Sequence, residues 1–163
     1  MQPRPVSASK VTMTELVLPQ HTNALGSVFG GQVMAWIDIC AAIAAQRHCR
    51  MPVVTASVDA LQFIAPVLKG FTINLSASVN YAGKTSLEVG VRIEAENTMT
   101  GERSHTASAY LTFVALGEDK KPAAVPPVLA ETDEEKRRYQ AAQIRRQNRL
   151  ALREQTKKPV SVK

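Results

Sequence analysis

Residues 32–49 read Gln-Val-Met-Ala-Trp-Ile-Asp-Ile-Cys-Ala-Ala-Ile-Ala-Ala-Gln-Arg-His-Cys, with neither glycine nor proline. That is enough for about five turns of helix at 3.6 residues per turn. Apolar side chains fall on every face of this helix as far as Ala45. A helix that is apolar all round must be covered by protein on most sides. Whatever else the chain forms therefore has to wrap this segment.

Four runs with a period of two supply the wrapping: 53–63, 71–81, 86–96 and 104–116. In the third, Leu87, Val89, Val91, Ile93 and Ala95 alternate with Glu88, Arg92, Glu94 and Glu96, which predicts one buried face and one wet face. The short links between runs favour antiparallel neighbours. A further run, 11–18, ends at Pro19 and reads as a first strand. The expected fold is α+β, an antiparallel sheet wrapped around a long central helix. After Pro122, Pro126 and Pro127, Thr132-Asp-Glu-Glu matches a capping box that opens a charged helix reaching about Glu154. The expected organisation is a flexible amino terminus over 1–10, one domain over 11–130, and a charged helix and tail over 131–163.

The 163 residues suit a single core, and the 45% apolar and 21% charged fractions are those of ordinary globular domains. Cys40 and Cys49 form no C-x-x-C pair and no zinc-like cluster, so neither a metal nor a disulfide is expected. Without a signal-like apolar segment or a membrane-length apolar run, a cytoplasmic protein with no membrane partner is expected. The formal charge is +6, but residues 131–163 hold ten Lys/Arg against five Asp/Glu, while 1–130 hold ten against nine. The body is close to neutral. The basic tail has no interleaved aromatics beyond Tyr139, so no nucleic-acid partner is expected.

Asp38 is the only charged residue between Gly30 and Gln46. Its helical neighbours Met34, Ala35, Ala41 and Ala42 are mostly small and leave room beside the carboxylate. Such a group is either paired for structural reasons or faces a cavity that uses it. Gly30-Gly31, directly before the helix, offers free N–H groups at the positive end of the helix dipole, a place suited to a developing oxyanion. Asn23 precedes it in a polar loop, where its amide either caps its own turn or orients a water. Thr55, in the second strand, carries a hydroxyl able to meet a carboxylate, although a β-branched residue in a strand requires no such role.

The run Asn23-Ala-Leu-Gly-Ser-Val-Phe-Gly-Gly-Gln-Val-Met-Ala-Trp-Ile-Asp38, continued by Arg47-His48-Cys49 and Val54-Thr-Ala-Ser-Val-Asp-Ala-Leu-Gln-Phe63, resembles the hotdog acyl-CoA thioesterases of the brain acyl-CoA hydrolase type. Gly83-Lys-Thr-Ser-Leu-Glu-Val and Ala107-Ser-Ala-Tyr-Leu-Thr-Phe-Val resemble the same family, so the likeness runs from about Thr14 to Tyr139. The resemblance implies hydrolysis of fatty acyl-CoA. Asn23 and Asp38 would be the catalytic pair, contributed by two subunits, with Asp38 as general base or nucleophile and Asn23 positioning water. It also implies a homodimer assembling to a hexamer. The Gly31 amide is the expected oxyanion donor, and Gly30, Thr55, Lys84, Thr85 and Ser86 are expected substrate or CoA contacts. No cofactor is needed beyond the CoA of the substrate. Phe29 stands where some relatives have His, which leaves oxyanion binding to backbone amides. His48 and Arg47 are explained by the helix dipole alone. The alternative function is a non-catalytic acyl-CoA binding or regulatory module on the same fold.

Overall fold

The computed structural model describes residues 1–59 and 61–156. Its elements in chain order are β1 (Arg4–Pro5), a 3-10 turn (Val6–Ser9), β2 (Val11–Leu16), a 3-10 turn (Pro19–His21), α1 (Gly30–Cys49), β3 (Val53–Val58), β4 (Thr72–Ala82), β5 (Ser86–Asn97), β6 (Glu102–Ala115), β7 (Val128–Leu129) and α2 (Asp133–Thr156). Five strands form one antiparallel sheet in the order β2-β4-β5-β6-β3, and β1 pairs in parallel with β7. This is the expected α+β hotdog arrangement.

The sheet packs one face on α1. Cys40, Ala41, Ala44 and Ala45 are fully buried, and their small side chains let the helix lie close to Ile73, Leu75, Leu87, Val89, Ile93 and Phe113, which are equally buried. Each large side chain so buried contributes about 1.5–3 kcal/mol of transfer free energy. The helix starts at Gly30, two residues before the expected start, because Phe29 is extended and its carbonyl already accepts from the Gln32 and Val33 N–H groups at 2.9 and 3.3 Å. It ends at Arg50, which takes a left-handed φ of 58° and donates its N–H to Gln46 O.

The expected strand over 53–63 stops at Val58. There the chain leaves the sheet, tied by Asp59 N–H to Tyr110 O and by Ile64 N–H to Thr106 O, both at 2.9 Å. It carries Phe63 across the start of α1. A second departure concerns the wet face. Glu88 follows the alternation but is only 2% exposed, because α2 crosses the outer face of the sheet and sets Arg145 and Arg149 against it at 2.7 and 3.3 Å.

The amino terminus is also better packed than expected. Instead of being flexible throughout, residues 1–10 include buried Val6 and Ser9. Ser9 Oγ accepts the Val79 N–H at 3.0 Å and donates to Val6 O at 2.7 Å. Arg4 donates to His48 O at 2.6 Å. The capping box of α2 is formed: Glu135 N–H donates to Thr132 Oγ1, and the Glu135 carboxylate accepts the Thr132 N–H, each at 3.2 Å. Residues 157–163 of the expected tail lie outside the described residues.

Candidate active site

Asp38 projects from the middle of α1 at the side where β3 forms the edge of the sheet. It is half-buried, and Thr55 on β3 donates its hydroxyl to Asp38 Oδ1 at 2.7 Å. A hydrogen bond to one oxygen fixes the carboxylate and leaves Oδ2 available. Around this pair Met34, Ile39, Val54 and Val58 are about half exposed. Thus the carboxylate sits on an open, largely apolar face and is held by a neutral donor rather than by a cation.

Gly30 and Gly31 open α1 as its first two residues. The first N–H groups of a helix have no intrahelical acceptor. Because Gln32 and Val33 both turn to Phe29 O, Gly30 and Gly31 are the amides left without a backbone partner among the described residues. The Phe29 ring stands over Gly31, where an added methyl group would lie 2.5 Å from Cε1. A side chain at position 31 would push the ring out of this corner. Phe29 itself is 60% exposed.

Asn23 is exposed and spends its side chain on its own loop. Its Oδ1 accepts from Leu25 N–H at 2.9 Å and from Ser27 N–H at 3.3 Å, and its Nδ2 lies 3.1 Å from Ser27 Oγ. That loop is fixed on α1 by the edge-to-face contact of His21 and Trp36, whose ring centroids are 5.0 Å apart, and by Phe29 N–H donating to His21 O at 2.8 Å. Among the described residues of one chain, no hydrogen bond joins Asn23 to Asp38.

Lys84, Thr85 and Ser86 lie at the β4–β5 turn, with Lys84 exposed. Thr85 O accepts the Ala115 N–H and Lys84 O accepts the Val125 N–H. Since Ala115 faces Val53, this turn sits at the end of the sheet where β3 begins, the end that also carries Thr55. The chain therefore unites Asp38 with Thr55 directly and places the Lys84 turn nearby, while Asn23 and Gly31 belong to the entrance of the helix.

Burial shapes the remaining titratable groups of α1. Desolvation raises the Cys40 thiol to about 11, against a smaller opposing effect of Arg47. Desolvation lowers His48, partly offset by its hydrogen bond to Pro126 O. Among the described residues no group of three or more His, Cys, Asp or Glu side chains is placed to hold a metal ion. Sequence reasoning missed a recess of about 270 Å³ beside Gly30, walled by Phe63 and Ile64 and reaching Thr106. Nothing local in the sequence joins these segments, which meet only through the path of the chain after β3.

Residues 25–102 match the thioesterase superfamily model. The uncharacterized acyl-CoA thioester hydrolase YkhA of Bacillus subtilis is 45% identical over 127 residues, 78% of this chain and 74% of that protein. An apo-hexameric acyl-CoA thioesterase superposes with a TM-score of 0.90 at 42% identity, covering 98% of this chain and all of that one. The Staphylococcus aureus acyl-CoA hydrolase, solved with butyryl coenzyme A and coenzyme A, gives 0.88 at 41% identity over 94% of each chain. That enzyme has also been solved with an aspartate, a threonine or an asparagine replaced by alanine. Fold, residue pattern and these likenesses agree: the chain belongs to the thioesterase superfamily, among its hotdog acyl-CoA thioester hydrolases.

Proposed function

We propose that the protein hydrolyses fatty acyl-CoA to the free acid and CoA, at a site in which Asp38 delivers the attack and Gly31 holds the oxyanion. The observation that carries this reading is the Thr55–Asp38 hydrogen bond of 2.7 Å on an open face of α1. It presents a fixed carboxylate with one oxygen left available. Asp38 takes a proton from water as that water attacks the thioester carbonyl carbon, or attacks it directly. Negative charge moves onto the carbonyl oxygen and is met by the Gly31 N–H at the positive end of α1. Collapse expels the CoA sulfur, which takes up the proton that Asp38 drew from water. On the direct route the acyl group is left as an anhydride on Asp38, and water then hydrolyses that anhydride to the free acid, restoring the carboxylate and supplying the proton to the thiolate. The chemistry calls for no cofactor.

Two copies are needed to complete such a site. Asn23 does not reach Asp38 through any hydrogen bond within the described residues of one chain, and β3, beside Asp38, is an edge strand with one side unpaired. Exposed Ile39, Val54 and Val58 flank it. An open, apolar edge is a template for a second strand, and a two-fold contact of this kind brings each copy's Asn23 loop toward the other's Asp38. The related hexameric thioesterase supports assembly of such dimers into a hexamer. Lys84, Thr85 and Ser86, with Gly30, are the proposed contacts to CoA, whose phosphates suit cationic and hydroxyl donors. The cytoplasm, which keeps free thiols such as Cys40 and Cys49 reduced, is the proposed compartment.

The test is CoA thiol release from acyl-CoA esters of graded length by wild type and Asp38→Asn, with particle mass measured for both. We expect the variant to lose about a hundredfold or more of turnover while keeping its mass. Near-normal turnover would remove Asp38 from the mechanism. Binding of esters without hydrolysis would make the protein an acyl-CoA binding module instead.

A further inference from the structure

Leu25 stands at the tip of the loop that carries Asn23 and is 88% exposed. A lone exposed leucine is ordinary on a protein surface, but this one is held in place by its neighbours. Its N–H donates to Asn23 Oδ1 at 2.9 Å, so the tip and the Asn23 amide move together. Asn23 N–H donates to Ser27 O at 2.8 Å, and Gly26 O accepts the Lys69 N–H at 3.1 Å. Gly26 makes the turn with a left-handed φ of 75°, which glycine adopts without strain. A braced loop therefore offers one large apolar side chain to solvent.

Helix geometry decides what that side chain meets. Gly31 and Asp38 both lie on α1, seven residues and so about 10 Å apart along its axis. The N–H groups that open a helix point away from its body, so an oxyanion on Gly31 lies farther still from the Asp38 of the same chain. A carbonyl under attack needs its oxyanion donor and its attacking group each within about 3 Å, or one water further for a general base. The start of α1 in one copy must therefore face the middle of α1 in another. There, round Asp38 and Thr55, the side chains of Met34, Ile39, Val54 and Val58 are each about half exposed.

We propose that Leu25 of one copy packs among Met34, Ile39, Val54 and Val58 of a second copy, and so seats Asn23 beside the second copy's Asp38. The inference rests on the two-copy thioesterase reading above and adds the contact that sets its geometry. Leu25 is a positioning residue. It acts through the Asn23 amide bonded to its own N–H, and its burial against the second copy is worth about a tenfold factor or more.

The test is complementation between two inactive chains, Asp38→Asn and Asn23→Ala, co-refolded in equal amounts and assayed on the acyl-CoA that wild type cleaves fastest. The intact sites of the mixture take Asn23 from the first chain and Asp38 from the second. Rates are compared per hybrid, with hybrid content read by native mass spectrometry. Leu25→Ala added to the Asp38→Asn chain should lower the restored kcat by about tenfold. Added to the Asn23→Ala chain, where it borders sites that are already dead, it should leave the restored rate within about twofold. Equal losses from both additions, as a general weakening of the fold or assembly would give, overturn the proposal, and so does no loss from the first. Leu25→Met keeps an apolar side chain of similar volume and should retain the rate in either chain; a tenfold loss there also counts against it. If the mixture without Leu25→Ala regains no activity although hybrids form, the two-copy reading falls and this inference with it. No hydrolysis by wild type defeats the thioesterase reading itself.

Discussion

The contact between Thr55 and Asp38 joins two residues that differ in how openly the sequence declares them. Asp38 is legible because it is the one charge between Gly30 and Gln46, in the apolar stretch of its helix. Thr55 is not, since a threonine in a strand needs no partner, and only the path of β3 beside α1 gives its hydroxyl one at 2.7 Å. Thr55→Val keeps the shape and removes the donor, so kcat/KM for acyl-CoA should fall by about tenfold while Thr55→Ser stays near wild type. Steady-state kinetics on the two variants reads this directly. Asn23 shows the opposite limit. Its single-chain hydrogen bonds satisfy the turn-capping reading, and the role proposed for it needs the second copy. For Cys40, burial raises the thiol to about 11, and the thiolate is the reactive form. Disulfide reagents at neutral pH should therefore leave it unmodified until the protein is unfolded, as thiol titration with and without denaturant would show.

Strand and helix cores were readable from periodicity, whereas their ends were set by contacts distant in sequence. The alternation in β5 fixed which residues face α1, yet Glu88 is buried because arginines of α2 more than fifty residues away in sequence lie over it. Arg145 also stacks on Tyr110, 3.7 Å from the ring centre, and Arg149 spans from Glu88 to Asp59, which directly follows β3. α2 thereby ties a central strand to the edge that bears Thr55. Glu88→Ala leaves Arg145 without its anion while Arg149 keeps Asp59, and because both arginines still reach solvent the cost should fall below the about 3–5 kcal/mol typical of leaving a fully buried charge unpaired. Urea denaturation should show a lower midpoint with an unchanged slope. The early end of β3 at Val58 is of the same kind, because the run of residues 53–63 continues as a strand in sequence while Phe63 is drawn to the start of α1.

At the scale of the whole molecule, the amino-terminal segment and the linker before α2 meet beside the last turn of α1. His48 is fully buried, its Nε2 bonds Pro126 O at 2.9 Å, and its Nδ1 has no partner among the described residues. Arg4 adds a cation beside it. Desolvation lowers its folded-state pKa below the ordinary 6.5, so the unfolded chain binds the proton more readily. This contribution to stability is present above about pH 6.5 and is lost as pH falls below it, by up to about 1.4 kcal/mol per pH unit while the folded histidine stays neutral. His48→Gln should flatten that part of the pH dependence of the urea midpoint. The central claim, one thioester-hydrolysing site built from two copies, is tested most directly by mixing two inactive proteins. Asn23→Ala and Asp38→Asn are co-refolded in equal amounts and assayed for CoA release. If each site takes Asn23 from one subunit and Asp38 from the other, random pairing restores intact sites to about a quarter of the wild-type number. A mixture no more active than its parents, although hybrids have formed, would contradict the shared site.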